Sequence, residues 1–348
     1  MSWNGWRRCG ARPRAGHWFP GVAALCVAAA ASAGDPAATA AGRGSPLHTY
    51  SIVARDPATG DLGVAVQSHW FSVGPLVPWA EAGVGAVATQ SFVEVSYGPL
   101  GLDLMRAGRT APQALKALLA GDPNPGVRQV AMVDAAGNVA AHTGEKCIAG
   151  AGHRTGEGFS AQANLMLNDT VWGAMAAAFE AAEGPLAERM LAALEAAESQ
   201  GGDIRGRQSA ALLVVRGKPT GRPWQDRIVD LRIEDHPDPL PELRRLLRLH
   251  RAYERMNRGD EAVAAGEVDR ALAEYAAAEA MAPDSAEMIF WHAVALAERG
   301  RVDESVPLFA RAFRMDSKWA VLVPRLVPAG LLPGDEALVR RILAAGEE

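Results

Sequence analysis

The pattern of apolar and polar positions from His48 to Gln67 predicts a β-hairpin. The first strand alternates, with one face made of Tyr50, Ile52 and Ala54. A turn with proline and glycine follows, and the returning strand alternates again through Leu62, Val64 and Val66. Thr49 lies at the start of the first strand, on its opposite face. Threonine is common in strands, so this position alone identifies no function.

Further strand and helix patterns alternate along the chain to about residue 235. Strands are predicted at Gly83–Gln90, Gln129–Val133, Asn138–His142, Phe159–Met166, Ser209–Val215 and Ile228–Ile233. Helices are predicted at Leu100–Arg106, Ala111–Leu119, Val171–Ala182 and Pro185–Glu198. The segment before Gly83, which contains Pro75 and Pro78, is predicted to be a loop. Strand pairs that alternate with helix pairs favour an α+β fold with two mainly antiparallel sheets covered by helices.

The last third of the chain has a different pattern. Residues 236–241 are rich in proline and predict a stiff linker, and residues 242–348 read as helix throughout. The tetrapeptide that begins at Gly266 recurs in altered form at Gly300, an offset of 34 residues. At the same offset Tyr275 corresponds to Phe309 and Ala278 to Ala312. This period resembles the tetratricopeptide repeat, with a plain helical bundle as the alternative.

Composition and charge restrict the class of protein. Hydrophobic residues make up 49% of the chain and charged residues 22%, which is typical of a globular protein. The net charge of −5 and the lack of a basic cluster in the body of the chain argue against nucleic acid as a partner. No P-loop, dinucleotide fingerprint or metal-ligand spacing is present, so no cofactor and no metal are expected.

The first residues predict export. Four arginines precede an apolar run from Val22 to Ala31, and Ala31-Ser-Ala33 offers a cleavage site. Residues 1–33 are therefore interpreted as a signal peptide and residues 34–47 as a flexible leader, which predicts a periplasmic or secreted bacterial protein. The apolar run is shorter than the roughly 20 residues of a membrane span, and no span is expected after cleavage. A poor membrane anchor or a later translation start are the alternatives.

Several polar residues are candidates for chemistry. As a new N-terminus, Thr49 would supply both a hydroxyl nucleophile and an α-amine that can take its proton. Other polar side chains occur at the ends of predicted strands, namely Ser68, His69, Thr89, Gln90, Gln162 and Asn164. The glycine-rich segment from Gly201 to Ala210 adds a polar loop with Asp203, Arg205, Arg207, Gln208 and Ser209. Its arginines could clamp a carboxylate, or pair with the aspartate in a purely structural turn.

Five stretches, in order, resemble the bacterial family called domain of unknown function 1028. They are Thr49–Val66, Val77–Ala80, Gly83–Gln90, Tyr97–Pro99 and Gly201–Ala210. That family is regarded as part of the N-terminal-nucleophile hydrolase superfamily. The resemblance therefore implies an αββα sandwich over residues 48–235, followed by the tetratricopeptide-like helical domain. It also implies amide hydrolysis by the residue that starts the first strand, which is Thr49.

The resemblance implies roles for the other candidates. Asn164 or Gln90, together with backbone N–H groups, would stabilise the oxyanion. Asp203, Arg205 and Ser209 would orient the amine or bind substrate, and the remaining candidates would line the substrate site: Ser68, His69, Thr89, Arg207 and Gln208. Cleavage after Ala33 leaves the leader in front of Thr49, so either a second cut occurs before Thr49, or the site works in another way, or the protein is not a catalyst. The early strands also hold no lysine to depress the pKa of the nucleophile.

Two functions are consistent with these features. The first is an exported amidohydrolase of the N-terminal-nucleophile type that acts on a small amide or peptide, with repeats that bind a protein partner. The second is a non-catalytic exported scaffold whose repeats bind a protein or peptide. A homodimer is expected by analogy with relatives of the sandwich.

Overall fold

A computed structural model describes residues 46–47 and 49–346 of the chain. The predicted signal peptide, residues 34–45 of the predicted leader, and His48 lie outside the described residues. The described part contains two β-sheets, in which every strand pair is antiparallel.

The first sheet has five strands and the second has six. The strands in chain order are β1 (Pro46–Leu47), β2 (Thr49–Arg55), β3 (Leu62–Ser68), β4 (Pro78–Glu81), β5 (Gly85–Phe92), β6 (Arg128–Asp134), β7 (Val139–Thr143), β8 (Gly152–Gly156), β9 (Phe159–Ala163), β10 (Ser209–Val215) and β11 (Arg227–Ile233). In the first sheet the order is β1-β5-β6-β7, and β4 also pairs with β5. In the second sheet the order is β11-β10-β3-β2-β9-β8, so the predicted hairpin forms its centre.

Helices cover the outer faces of the two sheets, and after β11 the described chain consists of helices and the turns between them. They are α1 (Tyr97–Arg106), α2 (Ala111–Gly121), α3 (Val171–Ala181), α4 (Leu186–Ser199), α5 (Pro223–Asp226), α6 (Pro239–Ala264), α7 (Val268–Met281), α8 (Ala286–Glu298), α9 (Val302–Met315), α10 (Lys318–Leu326) and α11 (Glu336–Ala344). A short 3-10 helix spans Pro125–Val127. No helix in the described part of the chain combines the length and apolar character needed to cross a bilayer.

Three apolar clusters separate the layers of the sandwich. Residues of α1 and α2, such as Met105 and Leu115, pack on the outer face of the first sheet. Residues of α3 and α4, such as Met175 and Leu191, pack on the outer face of the second sheet. The third cluster lies between the sheets. This αββα order of layers confirms the predicted fold class.

The layer between the sheets changes from apolar to polar along its length. At one end the inward side chains are aliphatic, including Val53, Val64, Ala88 and Val133. At the other end the same strands, or the residues that follow them, turn polar side chains inward: Thr49, Ser51, Ser68, Gln90, Gln129, Gln162, Asn164 and Ser209, all fully buried. Burial of so many uncharged polar groups is stable only when they bond to one another. The polar end is therefore the candidate site.

Some elements differ from the sequence-based prediction. Pro78, placed in a loop by the sequence, begins β4, and β8 was not predicted at all. The last two residues of the predicted flexible leader form β1. Helix α6 begins at Pro239, inside the segment predicted as a linker.

The first half of α6 packs on the sandwich, and its second half begins the repeats. Leu240, Leu243 and Leu247 belong to the apolar cluster over the second sheet. Arg251 of α6 binds Glu188 of α4 through two nitrogens, at 2.8 and 2.9 Å. One continuous helix thus joins the two regions. The 34-residue period is confirmed in the helices, because α7 and α9 begin at the equivalent residues Val268 and Val302.

Candidate functional site

Strand register brings three of the predicted site residues together at the polar end. Ser68 is the register partner of both Thr49 and Ser209, so the three lie in one row across the second sheet. The Thr49 hydroxyl donates to Ser68 Oγ at 3.1 Å. Asn164 follows β9, and its backbone N–H donates to the Thr49 carbonyl oxygen at 3.1 Å. Thr49 is completely buried in this row.

A group of side-chain amides, here called the amide cluster, fills the space beside Thr49. Its members are Gln90, Gln129, Gln162 and Asn164, from both sheets. Gln90 Nε2 donates to the Thr49 carbonyl oxygen at 3.1 Å and to Gln129 Oε1 at 2.7 Å. Asn164 Nδ2 donates to the same two oxygens, at 3.4 and 2.9 Å. The cluster therefore holds the first peptide group of β2 from two sides.

Two members of this arrangement were missed from the sequence. Gln129 Nε2 donates to the Ala163 carbonyl oxygen at 2.8 Å and to Thr143 Oγ1 at 2.9 Å. Ser51 donates to Gln90 Oε1 at 2.6 Å and accepts from Gln162 Nε2 at 2.7 Å. The available signal was a polar residue at an inward position near the end of a strand, the same signal that identified Gln90 and Asn164.

The hydrogen bonds within the amide cluster determine which of its N–H donors are available to a ligand. A side-chain amide has two N–H donors. Both donors of Gln90, and both of Asn164, have acceptors at Thr49 and Gln129. In this structure these residues position Thr49, and neither presents a spare side-chain donor to an oxyanion.

The glycine-rich loop lies next to this row through Asp203. The Asp203 carboxylate accepts from Arg205 Nε at 3.0 Å and from the backbone N–H of His69 at 3.3 Å. Arg205 Nη2 completes the ion pair, at 2.6 Å from Asp203 Oδ2. The pairing of Asp203 with Arg205 matches the structural alternative considered for this loop. Because His69 follows Ser68, the same carboxylate anchors the end of β3.

Ser209 has a comparable anchoring position. Its hydroxyl donates to the Trp70 carbonyl oxygen at 2.5 Å and accepts from the backbone N–H of Val73 at 3.2 Å. Asp203 and Ser209 together hold the segment that leaves β3 beside Ser68. In the described part of the chain, the hydrogen bonds of both side chains go to groups other than the Thr49 hydroxyl.

The remaining predicted residues bond elsewhere. Thr89 donates to the Glu94 carbonyl oxygen at 3.0 Å, on the opposite face of β5 from Gln90. Arg207 binds Glu198 and Asp238, each at 2.6 Å. Gln208 donates to Asp235, and the His69 ring contacts the Arg207 carbonyl oxygen. The structure thus gathers Thr49, Ser68, Gln90 and Asn164 and leaves these four residues at the periphery: Thr89, Arg207, Gln208 and the His69 ring.

Tyr50 links the site to the outer face of the second sheet. Its hydroxyl contacts Gln67 and donates to Glu198 Oε2 at 2.7 Å. Burial, and then the Glu198 carboxylate, raise the pKa of Tyr50 well above its usual value. Glu198 also accepts from Arg207, so a chain of polar contacts runs from Tyr50 to the start of α6 at Asp238.

Backbone strain is concentrated at the same end of the sandwich. The described non-glycine residues with positive φ are Ser72 (54°), Ser91 (72°) and Leu165 (59°). Ser72 precedes Val73, whose N–H binds Ser209, while Ser91 and Leu165 follow Gln90 and Asn164 directly. Such conformations cost on the order of 1 kcal/mol each and are typical of sites that need a fixed geometry.

Strand β1 brings the leader to the site. Pro46 and Leu47 pair with Phe92 and Ser91 of the first sheet, whereas Thr49 belongs to the second sheet. The chain therefore crosses between the sheets just before Thr49, and the Thr49 nitrogen is in a peptide bond with His48. In the described part of the chain, no three His, Cys, Asp or Glu side chains are grouped so that they could hold a metal ion.

Two regions of the chain match known protein families. The model of the family described as "Family of unknown function (DUF1028)" matches residues 49–243, and a tetratricopeptide repeat model matches residues 256–318. A crystal structure of a DUF1028 protein from Silicibacter pomeroyi is 34% identical, with a TM-score of 0.52, over 58% of this chain and 88% of that one. The ancestral beta-subunit Anbu from Yersinia bercovieri matches at 12% identity and a TM-score of 0.27, over 54% of this chain and 89% of that one. No curated protein matches the chain.

Proposed function

The chain belongs to the family of unknown function DUF1028, and on that premise we propose that it is an amide hydrolase whose nucleophile is Thr49. The observation that carries this proposal is the environment of Thr49. Its hydroxyl bonds to Ser68, and its carbonyl oxygen is held by Gln90 and Asn164 at the polar end of the sandwich. A strand residue with a purely structural role does not require a buried amide cluster around it. At the other end of the same layer, the strands pack through aliphatic side chains.

Activation of this nucleophile requires a cut before Thr49. A threonine inside a chain has no amine to take its hydroxyl proton, and the unassisted hydroxyl has far too high a pKa to attack an amide. Removal of the residues up to His48 would free the Thr49 amine and remove β1 from the edge of β5. The uncut chain is then an inactive precursor, which accounts for the complete burial of Thr49.

After the cut, each residue has a defined role. The Thr49 amine takes the hydroxyl proton, the hydroxyl oxygen bonds to the substrate carbonyl carbon, and the amide C–N bond breaks as the proton passes to the leaving amine. Water, with the Thr49 amine again as base, then hydrolyses the ester on Thr49, which releases the acid and restores the hydroxyl. Ser68 and the amide cluster position Thr49. Asp203 and Ser209 hold the segment after β3, where a substrate would enter. The substrate is a small amide or peptide, and the predicted signal peptide directs the protein to the periplasm or the medium.

The first test is the N-terminus of the mature protein. The bacterium that produces the protein is fractionated, and the chain in each fraction is analysed by mass spectrometry. We expect a form that begins at Thr49 in the fractions from outside the cytoplasm. A single mature form that begins near Gly34 would contradict the mechanism, because its threonine has no free amine.

The second test isolates the role of Thr49. A cleavable fusion can release a chain that starts at Thr49. We expect this chain to hydrolyse members of a panel of small amides and peptides. Thr49→Ser should retain activity, and Thr49→Val, which keeps the shape of the side chain, should lose it by about a thousandfold or more. Equal activity of Thr49→Val, or equal activity of chain that starts at Gly34, would remove Thr49 from the mechanism.

A second candidate function is a non-catalytic exported scaffold. The observation in its favour is that Thr49 is closed from solvent in the uncut chain, while the repeats form an open groove. Tetratricopeptide repeats suggest protein–protein interaction. Absence of hydrolysis by chain that starts at Thr49, with intact folding, would favour this function. Sedimentation analysis of the same sample tests the proposed homodimer.

A further inference from the structure

The repeats form a groove of about 500 Å³ between the second half of α6 and α8. Its walls carry aromatic and aliphatic side chains, among them Tyr253, Met256, Tyr275, Trp291, Val294 and Leu331. Tyr253 is 39% exposed and Leu331 is 44% exposed, so part of this apolar surface faces solvent. Large exposed apolar residues within a concave surface are typical of a binding site.

Every charged residue that lines this groove is acidic: Asp260, Glu287 and Glu298. Asp260 accepts from the Tyr275 hydroxyl at 2.6 Å, and Glu287 accepts from the Tyr253 hydroxyl. Neither carboxylate has an ion pair with any described residue, whereas Glu298 lies 3.8 Å from Arg299. The groove thus carries negative charge that its own walls do not neutralise.

The basic residues nearby are occupied by other acids. Arg255 and Arg258 of α6 both bind Glu274 of α7, at 3.1 and 3.3 Å. The hydrogen bond from Tyr253 to Glu287 raises the pKa of this tyrosine to about 12. Burial and the Asp260 carboxylate raise the pKa of Tyr275 as well, so both hydroxyls remain donors at neutral pH.

We propose that this groove binds a segment of another protein that carries an arginine or lysine next to an apolar side chain. The cationic group neutralises Asp260 and Glu287 and contacts the faces of the aromatic rings. The apolar neighbour covers Leu331 and Val294. Complementary charge of this kind selects basic partners and rejects acidic ones. The inference does not depend on whether Thr49 is catalytic.

Selection from a library of short randomised peptides on phage, with the full chain as bait, tests the proposal. We expect the recovered peptides to be enriched in arginine or lysine beside an apolar residue. Their affinity should fall as salt concentration rises. Recovery of acidic or neutral peptides, or of none, would overturn the proposal.

A double variant, Asp260→Asn with Glu287→Gln, shows whether binding occurs in the groove. Both new side chains still accept the tyrosine hydrogen bonds, so folding is retained and can be checked by circular dichroism. The selected peptides should bind this variant about tenfold more weakly, or worse. The matched control, Asp169→Asn with Glu183→Gln, removes the same charge at exposed positions of the sandwich and should bind as the unaltered chain does. Equal binding by the groove variant would exclude this site.

A chain without residues 1–45 tests a competing occupant of the groove. Binding that appears only after removal of residues 1–45 would assign the groove to the chain's own N-terminal segment instead.

Discussion

Gln129 has no charge and no reactive atom, yet it connects three parts of the candidate site. Its carbonyl oxygen accepts from Gln90 and Asn164, and its amide nitrogen reaches Ala163 and Thr143. A buried donor that loses its acceptor costs about 1–3 kcal/mol, more than a typical hydrogen bond contributes net. Gln129 therefore matters to stability as well as to the position of Thr49.

Replacement of Gln129 by methionine keeps its length but removes both polar atoms. We expect the free energy of unfolding to fall by about 2–4 kcal/mol, because Gln90 and Asn164 each lose an acceptor. Urea unfolding followed by circular dichroism measures the change. Gln225→Met makes the same substitution at an exposed position and should change stability by less than about 0.5 kcal/mol. Similar effects for the two variants would mean that the amide cluster contributes nothing to stability.

At the scale of single residues, the sequence predicted most of the site. Thr49 was identified from the chemistry that it would have as an N-terminus. Polar residues at strand ends are unusual in a core, and this signal identified Ser68, Gln90, Gln162 and Asn164. Gln129 and Ser51 were not identified, because one strand alone does not show which of its faces meets the other sheet. The pairing of Asp203 with Arg205 was one of two open interpretations, and only the observed ion pair distinguishes them.

Among the elements, the strands with strong alternation were predicted with small errors in their ends. The missed strands have weak patterns for physical reasons. β4 begins with Pro78, which has no N–H to donate, and among the described strands it pairs only with β5. β8 has glycine at both ends and an exposed middle, and its one partner in the described part of the chain is β9. Edge strands of this kind lack the buried face on which a sequence-based prediction depends.

Close approach of α6 and α7 depends on Gly259. A Cβ at this residue would lie 2.8 Å from the Tyr275 ring, which is buried and held by its hydrogen bond to Asp260. By contrast, a Cβ at Gly173 of α3 would meet no atom within 4 Å. Gly259 and Gly173 are both in helices, but only at Gly259 would an added Cβ collide with a neighbouring side chain.

We expect Gly259→Ala to lower stability by about 1–3 kcal/mol, because overpacking outweighs the gain in helix propensity. Gly173→Ala should instead raise stability by up to about 1 kcal/mol. Thermal unfolding of the two variants beside the unaltered chain measures both effects. An increase in stability for Gly259→Ala would show that the two helices have room to separate.

At the scale of the whole molecule, all four tyrosines of the chain have raised pKa values. Burial is the first cause for Tyr50, Tyr97 and Tyr275, and the hydrogen bond to Glu287 is the first cause for Tyr253. In each case a carboxylate beside the hydroxyl adds to the shift. The folded chain therefore retains these protons at a pH where the unfolded chain, with tyrosine pKa values of about 10, releases them.

The stability contributed by these protons is complete below about pH 10 and is lost as the pH rises through the higher pKa values of the folded chain. Ultraviolet titration of the native protein should show no phenolate near pH 10, and Tyr253 should ionise first, at about pH 12, if the fold survives to that pH. In guanidinium chloride all four should ionise near pH 10. Tyr253→Phe should remove the first step alone. Phenolate that forms near pH 10 in folded chain would contradict the contacts described for at least one tyrosine.

Strand β1 has a consequence for the timing of any cut before Thr49. A separate protease binds several residues on each side of the bond that it breaks. These substrate residues must be extended and must not be paired with another strand. Here Pro46 and Leu47 are already paired with one sheet, and Thr49–Arg55 is a central strand of the other. Another enzyme could reach this bond only while the newly made chain is still unfolded. Maturation of a folded molecule would have to be its own intramolecular reaction.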